Sequence, residues 1–269
     1  MKIFSTIKGR ILRLAILSVI IPVIVLSLVL IFQRLSLENS VRVGLRDIIQ
    51  SEVQKMANQI YMLCETVNDN LTLRINADLN TADIIMKQGG DINQRRWGVD
   101  WKAINQYTNE VEEIQLSAFY IGNEWLGQNS SFEVKTPIID DISEELNITC
   151  TIFQRMNKDG DMLRIATNVK KLDGERAIGT YIPAFNPDGQ PNPVISTILK
   201  GENYIGRAFV VNEWCVTGYK PIYDNLSKEI VGIIYVGIKE KEAMRSVRDV
   251  VYKTVVGKTG YVFVLNARG

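Results

Sequence analysis

An apolar run near the N-terminus constrains this chain more than any other feature. Residues 14–32 read LAILSVIIPVIVLSLVLIF, in which no side chain is charged and only Ser18, Pro22 and Ser27 interrupt the apolar residues. A helix of ~20 apolar residues crosses the ~30 Å hydrocarbon core of a bilayer, and proline is tolerated inside such spans. The sequence therefore predicts a transmembrane helix over residues 14–32.

The charges that flank this run predict its orientation. Four basic residues precede it, namely Lys2, Lys8, Arg10 and Arg13, whereas the first acidic residue is Glu38. Positive charge stays on the cytoplasmic side, so we expect residues 1–13 in the cytoplasm and the remainder outside it, anchored in the cell inner membrane. A cleaved signal peptide is the alternative, but its apolar region spans ~7–15 residues and ends in small residues. Residues 31–34 (IFQR) do not have that pattern.

A long helix is predicted to follow the span, over residues 33–90. Apolar residues recur at steps of three and four from Val41 to Leu79, without proline and with Gly44 as the only glycine, a pattern typical of a helix. The pair Gly89-Gly90 predicts its end. Some fifty residues at ~1.5 Å each give a rod of roughly 75 Å, which we expect to act as a stalk or sensor helix and to pair with its copy in a homodimer.

The next segment, residues 91–148, is mixed in character. It predicts short loops and an amphipathic piece near residues 105–116. Residues 119–129 (FYIGNEWLGQN) combine aromatic, glycine and amide residues, which are typical of a small-molecule pocket but equally of a tight hairpin. The sequence does not separate these two interpretations.

Residues 149–239 have the pattern of strands. Runs rich in β-branched and aromatic residues, bounded by turn signals such as Asn157-Lys158-Asp159-Gly160, predict strands. They fall at 149–154, 163–169, 180–184, 204–211, 214–222 and 230–239, and a short helix is predicted from Pro193 to Gly201. Short connections favour antiparallel pairing. The predicted fold class is α+β, with a PAS-like antiparallel sheet of about five strands and helices against it.

The amino-acid sequence of this region resembles that of a known family. The phrases TCTIFQRMNKDGDMLRIATNV, ERAIGTYIPA, NPVISTILKGENYIGRAFVV and GYKPIYDNLSKEIVGIIYVGI, with WLGQN before them and GKTGYVFVLN after them, resemble the extracytoplasmic Cache sensor family. The closest likeness is to the double-Cache (Cache 3/Cache 2 fusion) form of bacterial methyl-accepting chemotaxis proteins and related sensor kinases. The resemblance covers roughly the second half of the chain strongly, and it implies a PAS-like sheet that binds a small ligand outside the cell and signals inward.

The resemblance also implies a domain organisation. Residues 91–239 are expected to form the first Cache module. Residues 240–269 are expected to form a linker helix over residues 240–256 and the first strand of a second, truncated module over residues 261–265. We therefore expect the sequence to be part of a longer receptor whose cytoplasmic output domain lies outside it.

Composition excludes several classes of function. The chain has no histidine, so a catalytic Ser-His-Asp or Cys-His unit and an imidazole metal site are excluded. With 31 basic and 30 acidic residues, it lacks the basic excess typical of nucleic-acid binding. We identify no catalytic motif, metal site or cofactor, and the acidic pairs Asp140-Asp141 and Glu144-Glu145 are expected to be solvated.

Three cysteines do not make a disulfide framework. Cys150 and Cys215 fall in the first and fourth of the predicted main strands, which a PAS-like sheet separates by one strand. Two strand spacings of ~4.8 Å exceed the ~7 Å limit on the Cα separation in a disulfide. We therefore predict reduced, buried cysteines.

The predicted ligand site uses residues around the concave face of the sheet. Arginines in or near the strands are expected to clamp a carboxylate through paired N–H donors, aromatic residues to form walls, and polar residues of the 125–129 segment to close the entrance. The candidates are Arg155, Arg164 and Arg207, then Tyr181, Trp214 and Tyr219, and finally Trp125, Gln128 and Asn129. The sequence leaves the ligand open among a small organic anion, an amino acid and an amine.

The predicted function is ligand sensing by a transmembrane receptor, most simply a methyl-accepting chemotaxis protein that acts on cytoplasmic signalling partners through its output domain. The sensor region of a histidine kinase or a diguanylate cyclase is the alternative within sensing. An anchored extracytoplasmic enzyme or structural module is the alternative outside it.

Overall fold

The computed structural model describes residues 7–264. Its first element is a single helix, α1, that runs from Ile7 to Gln88 and includes Pro22. The most apolar stretch of α1 has a mean hydropathy of 3.2 and exposed side chains. Among the described residues, α1 is the only helix long and apolar enough to cross a membrane. It ends where the sequence predicts, and Gly90 follows with a φ of 119°, a conformation that glycine adopts readily.

The chain divides into two units. Among the described residues, 7–62 with 256–259 form the first, and 63–255 with 260–264 form the second. The helical part of the first unit exposes apolar side chains, including Val41, Leu45 and Val53. The second unit contains the sheet and the large majority of the buried residues.

Nine strands form one sheet. They are β1 (Ile92–Asn105), β2 (Val111–Ile121), β3 (Glu124–Trp125), β4 (Thr149–Arg155), β5 (Met162–Thr167), β6 (Thr180–Ile182), β7 (Tyr204–Val210), β8 (Glu213–Tyr223) and β9 (Ile230–Lys239). Their order across the sheet is β3-β2-β1-β6-β5-β4-β9-β8-β7. All pairs are antiparallel except β1 with β6, which is parallel. The α+β class is confirmed, and the sheet is larger than the expected five strands.

The additional strands come mostly from residues 92–121. Here the sequence predicts loops and an amphipathic piece, whereas the structure has the long antiparallel hairpin of β1 and β2. The alternation that marks β1 is short, with Val99, Trp101 and Ala103 buried. A register shift between Arg95 and Gly98 interrupts the strand, so the periodic signal covers only half of it.

The strands predicted over residues 149–239 are all present, with ends shifted by at most two residues. The predicted helix is α3 in chain order, after α2 (Ile139–Leu146), and it spans Pro193–Ile198. Its cap is Asn192, whose side chain accepts hydrogen bonds from the backbone N–H groups of Val194 and Ile195. Strand β9 lies between β4 and β8 as expected, and Cys150 and Cys215 are free and buried, which confirms the cysteine prediction.

The C-terminal part has two short helices where the sequence predicts one. A single helix is expected over residues 240–256, but the structure has α4 (Glu240–Ala243) and α5 (Arg245–Lys253). A two-stranded sheet follows, with β10 at Val255–Val256 and β11 at Gly260–Tyr261. The end of the strand predicted for residues 261–265 lies outside the described residues.

The sheet buries both of its faces. On one face, Ile75 and Leu79 of α1 pack against the strands, where Gly218 of β8 supplies the space. A Cβ atom at position 218 would lie 2.8 Å from Cγ2 of Ile75. The opposite face carries a second cluster, which includes Phe153, Tyr219 and Tyr235 and is covered by α3 and by residues of the 168–192 segment.

Candidate functional site

The second face of the sheet, with the residues that pack on it, is the candidate site and is called the covered face below. Strands β4, β5, β7, β8 and β9 contribute its floor, and the segment 168–192 and α3 contribute its roof. It is mainly apolar but holds several polar groups. The floor residues used below are Thr149, Phe153, Arg164, Val210, Cys215, Tyr219 and Tyr235.

Three tyrosines form a row across this floor. The ring centroids of Tyr204 and Tyr219 are 6.0 Å apart, and those of Tyr219 and Tyr235 are 5.0 Å apart. The hydroxyl of Tyr235 lies 3.2 Å from that of Thr149. Burial raises the pKa of both Tyr219 and Tyr235, so these two residues supply neutral hydroxyl groups within an apolar layer.

Arg164 of β5 is the only basic side chain buried in this layer among the described residues. One of its terminal nitrogens donates to the hydroxyl of Thr180, and the same nitrogen lies 3.5 Å from the carbonyl oxygen of Ala177. Its Nε has no hydrogen-bond partner among the described residues. The guanidinium carbon lies 5.1 Å from the ring centroid of Phe153. Burial lowers the pKa of the guanidinium, and Tyr219 and Tyr235 partly oppose this effect.

A cavity of about 230 Å³ opens onto the same layer at the end of the strands. Thr149, Val210 and Cys215 contribute to its lining. Lys171 and Lys239 stand at the rim, where each is ion-paired with an acid of this chain. Burial raises the pKa of Cys215 to about 11, so its thiol is protonated at neutral pH.

A second buried arginine, Arg176, has a different environment. It forms a two-pronged ion pair with Asp140 of α2, with both N–O distances 2.8 Å, and it also donates to the carbonyl oxygens of Ser131 and Thr167 at 2.8 and 2.9 Å. The ring of Phe132 lies 4.4 Å from the guanidinium carbon. The expectation that Asp140 is simply solvated is therefore wrong, because the fold brings a buried cation to it from 36 residues away.

The predicted ligand residues fall in different places. Arg164 and Tyr219 lie on the covered face. Tyr181 of β6 is half-buried, and its hydroxyl accepts a hydrogen bond from Asn105 at 3.2 Å. Arg155 donates to the carbonyl oxygens of Asn157 and Lys158 at 2.9 and 2.7 Å. It lines a separate open groove of about 860 Å³.

Arg207 and Trp214 lie on the opposite side of the sheet. Neighbouring residues in a strand alternate between faces, and Ala208 and Cys215 belong to the covered face. Arg207 forms an ion pair with Glu240 at 2.7 Å. Its guanidinium carbon lies 3.9 Å from the ring centroid of Trp214, so both side chains are engaged with each other.

The remaining three candidates lie by the β1–β3 end of the sheet. Trp125 is 40% exposed and packs against Trp97, with ring centroids 5.4 Å apart. Gln128 donates to the carbonyl oxygen of Asp100 at 2.6 Å, and Asn129 donates to the hydroxyl of Thr136 at 2.8 Å. The 119–129 segment forms a tight hairpin between β2 and β3, which was one of its two interpretations.

Sequence reasoning missed three residues of the covered face. Tyr235 lies within the aliphatic strand IVGIIYVGIK, where a phenol among aliphatic residues was a usable signal. Thr149 and Thr180 carry no signal in sequence, because their roles depend on Tyr235 and Arg164. Among residues 7–264, no group of His, Cys, Asp or Glu side chains is arranged to hold a metal ion.

The domain is of the α+β class. Its mixed sheet has the N-terminal helix on one face and a partly polar, covered layer on the other. Residues 38–269 match the family model of the Cache 3/Cache 2 fusion domain, and the chain belongs to that family. It therefore carries a Cache sensor domain, which is a non-catalytic, extracytoplasmic type of module. No curated protein matches the chain.

Three solved structures are similar to part of the chain. The sensor domain of Escherichia coli DcuS is 14% identical over 42% of this chain and 71% of that chain, with a TM-score of 0.29. The ligand-binding domain of the Campylobacter jejuni chemoreceptor Tlp3, in complex with L-norvaline, is 15% identical over 41% and 40%, with a TM-score of 0.27. The periplasmic domain of Chlamydia trachomatis RsbU is 14% identical over 37% and 32%, with a TM-score of 0.24. The chain thus spans less than half of the latter two.

Proposed function

We propose that this chain is the ligand-sensing part of a transmembrane receptor, most simply a methyl-accepting chemotaxis protein, which binds a small molecule at the covered face. The proposed organisation is a cytoplasmic tip (1–13), a span (14–32), a long helix (33–90), a first Cache module (91–239) and the start of a second (240–269). One observation carries the proposal. The helix that contains the apolar stretch is the same helix that packs on the sensor sheet.

Strand β8 connects the covered face to that helix. Tyr219 points to the covered face, and its two neighbours point to α1. Gly218 contacts Ile75, and Lys220 forms an ion pair with Asp83 at 2.8 Å. Burial opposes ionisation of Asp83, but hydrogen bonds from Lys220 and Lys87 hold its pKa below the usual value. A shift of β8 by a ligand therefore acts directly on α1.

The signal in this proposal is a change of population. A ligand shifts an equilibrium only by its differential affinity for the two states. Ligand on the covered face favours one position of β8, and α1 carries that preference towards the membrane. The receptor then passes it to cytoplasmic partners through an output domain.

The exposed part of α1 supports a homodimer. Val41, Leu45, Ile49 and Val53 are 43–60% exposed and recur at steps of four residues. An apolar row on an extramembrane helix is stabilised by a matching row, and a second copy of the chain supplies one at the same depth in the membrane.

Cysteine cross-linking tests the proposal. The full chain with Cys64→Ser and Leu45→Cys is inserted in inner-membrane vesicles, and the rate of disulfide formation is measured with and without compounds from a metabolite panel. We expect cross-linking at residue 45, a rate that a binding compound changes, and much slower cross-linking for Asp47→Cys, which lies on the opposite side of the helix from the row at 3.6 residues per turn. A rate that no binding compound changes would contradict signalling through α1.

A second variant isolates the coupling step. Lys220→Met removes the ion pair with Asp83 and leaves the covered face intact. We expect it to bind ligand with unchanged affinity and to lose most of the ligand-dependent change in cross-linking rate. Loss of ligand binding itself would contradict the assignment of Lys220 to coupling.

The type of output is a separate question. A long heptad-patterned helical hairpin encoded after residue 269 would identify a chemoreceptor. A catalytic domain there would identify a histidine kinase or a diguanylate cyclase, and a stop codon would favour an anchored structural module.

A further inference from the structure

We infer that the ligand of the covered face is a small organic anion without an ammonium group, such as a short monocarboxylate, and that Arg164 binds its charge. This inference rests on the proposed sensing function and narrows its ligand class. It follows from the charges of the covered face, which favour one of the three ligand classes that the sequence leaves open.

Within the described residues, the covered face holds one buried positive charge, the guanidinium of Arg164. Arg164 is 2% exposed, and its hydrogen bonds go to a hydroxyl and a carbonyl oxygen, both neutral. Its Nε is unpartnered within residues 7–264. An ionised group taken out of water needs a counter-charge with good hydrogen-bond geometry, or it destabilises the fold by several kcal/mol. An anion that binds here supplies both the missing charge and the missing acceptor.

The second step concerns the missing negative charge. Among the described residues, no acidic side chain is buried in the covered face, and two acids at its edges, Glu213 and Asp161, are already engaged. Glu213 at the cavity rim is paired with Lys239 at 3.0 Å. Asp161 accepts from the backbone N–H of Ala184 at 2.7 Å and from the amide of Asn157 at 2.8 Å. A ligand ammonium group therefore meets no free carboxylate in the described part of this layer, and an amine or an amino acid binds poorly.

The third step concerns the rest of the ligand. Beyond its two hydrogen-bond acceptors, Arg164 lies beside the ring of Phe153 and interacts electrostatically with Tyr219 and Tyr235. Aromatic walls favour an uncharged tail, and neutral hydroxyl groups fix its orientation. The cavity of about 230 Å³ lies at the end of this layer that holds Thr149, whose hydroxyl is 3.2 Å from that of Tyr235. It has room for roughly seven non-hydrogen atoms, at ~30 Å³ for each water-sized group.

Thermal unfolding of the full chain in lipid nanodiscs tests the inference with three matched probes. Propionate, alanine and n-propylamine have the same number of carbon atoms and differ in charge. We expect propionate at a hundredfold excess over its Kd to raise Tm by about 5 °C, and alanine and propylamine to leave it unchanged. Sodium nitrate serves as the inorganic control, and an equal rise with nitrate would overturn the requirement for an organic tail.

Two variants connect the response to Arg164. Arg164→Met is expected to abolish the propionate response without lowering the intrinsic Tm, because a buried unpaired charge is replaced by an apolar chain of similar length. Arg164→Lys, which keeps the charge but loses the fork of donors, is expected to weaken propionate binding at least tenfold. Lys158→Met removes one exposed positive charge next to β4 and is expected to keep the full response.

Each outcome decides the inference. A propionate response that survives in Arg164→Met, or a Tm of that variant well below the wild type, overturns it, because Arg164 then has only a structural role. A response to alanine or propylamine alone overturns the anion class but leaves the sensing function standing. If none of the probes raises Tm, the inference fails, and the cross-linking experiment with the wider panel decides separately whether the chain is a sensor.

Discussion

Two buried arginines, 12 positions apart in the sequence, have opposite environments. Arg176 is fully engaged, with an acid, backbone carbonyl oxygens and an aromatic ring around it. Arg164 is equally buried but has only neutral acceptors. A buried cation with its own acid holds structure together, whereas one without an acid is available to an anion from outside. Substitutions at Asp140, Cys215, Thr180 and Phe132 test this difference between the two arginines.

The largest effect is expected at the acid that neutralises Arg176. Asp140→Asn leaves a buried cation unpaired and is expected to lower the free energy of unfolding by about 3–5 kcal/mol. Chemical unfolding followed by tryptophan fluorescence measures the change. Asp141→Asn, at the exposed neighbouring acid, is the control and is expected to change stability by no more than about 1 kcal/mol. Equal effects of the two variants would remove the distinction between the two arginines.

The second prediction tests whether water is excluded from the covered face. Burial raises the pKa of Cys215 to about 11, while an unfolded thiol has a pKa of ~8.5. Below pH 8 both states hold the proton. As pH rises from about 9 to 11 only the unfolded state loses it, so stability falls in that window. Since one pKa unit corresponds to ~1.4 kcal/mol, the wild type is expected to lose up to about 3 kcal/mol more than Cys215→Ala by pH 11.

Unfolding free energies at pH 8, 9, 10 and 11 provide this measurement. Cys64→Ala is the control on α1 and is expected to behave as the wild type. If Cys215→Ala and the wild type lose stability in parallel, water reaches the covered face, and the argument from an unpaired charge at Arg164 weakens.

The third prediction converts Arg164 into a copy of Arg176. Thr180→Asp places a carboxylate where the hydroxyl now accepts a hydrogen bond from Arg164. We expect the free energy of unfolding to rise by about 1 kcal/mol and the propionate response to disappear. Thr180→Asn has nearly the same shape without the charge. It is expected to keep the response, and its loss in both variants would show a steric cause.

The smallest effect is expected at the ring beside Arg176. The ring centroid of Phe132 lies 4.4 Å from the guanidinium carbon of Arg176 and 4.8 Å from the ammonium nitrogen of Lys170. Phe132→Leu keeps apolar contact but removes the cation–π interaction, so unfolding should become easier by about 0.5–1 kcal/mol. Measuring the same substitution in an Asp140→Asn background shows whether the ring and the acid act on Arg176 together, since a coupled pair gives non-additive changes.

The sequence was sufficient for the elements whose signals are local. The apolar run and the three- and four-residue period predict α1, and the Gly89-Gly90 pair predicts its end. β-branched runs and turn residues predict the strands from residue 149 to 239, and Pro193 after Asn192 predicts the start of α3. These features depend on backbone preferences and on burial of one face, which neighbouring residues specify.

Local sequence patterns did not predict the β1–β2 hairpin or the faces on which the candidate ligand residues lie. The β1–β2 hairpin was missed because its alternation is short and its register is irregular near Gly98. The nine candidate ligand residues were chosen by residue type, but the alternation of side chains places Arg207 and Trp214 on the face opposite Arg164 and Tyr219. Residue type alone does not show on which face of the sheet a strand residue lies.

By itself the sequence determined the apolar helix, its long continuation, the α+β class and the kind of residue that can bind a ligand without histidine. Only the tertiary structure decided which arginine is neutralised. The two are equally basic, and each has acids within reach along the sequence, such as Asp161 near Arg164 and Glu175 beside Arg176. The fold instead brings Asp140 to Arg176 and turns Asp161 towards the backbone N–H of Ala184 and the side-chain amide of Asn157. Charge pairing depends on distance in space, and that distance is set by packing of the whole sheet.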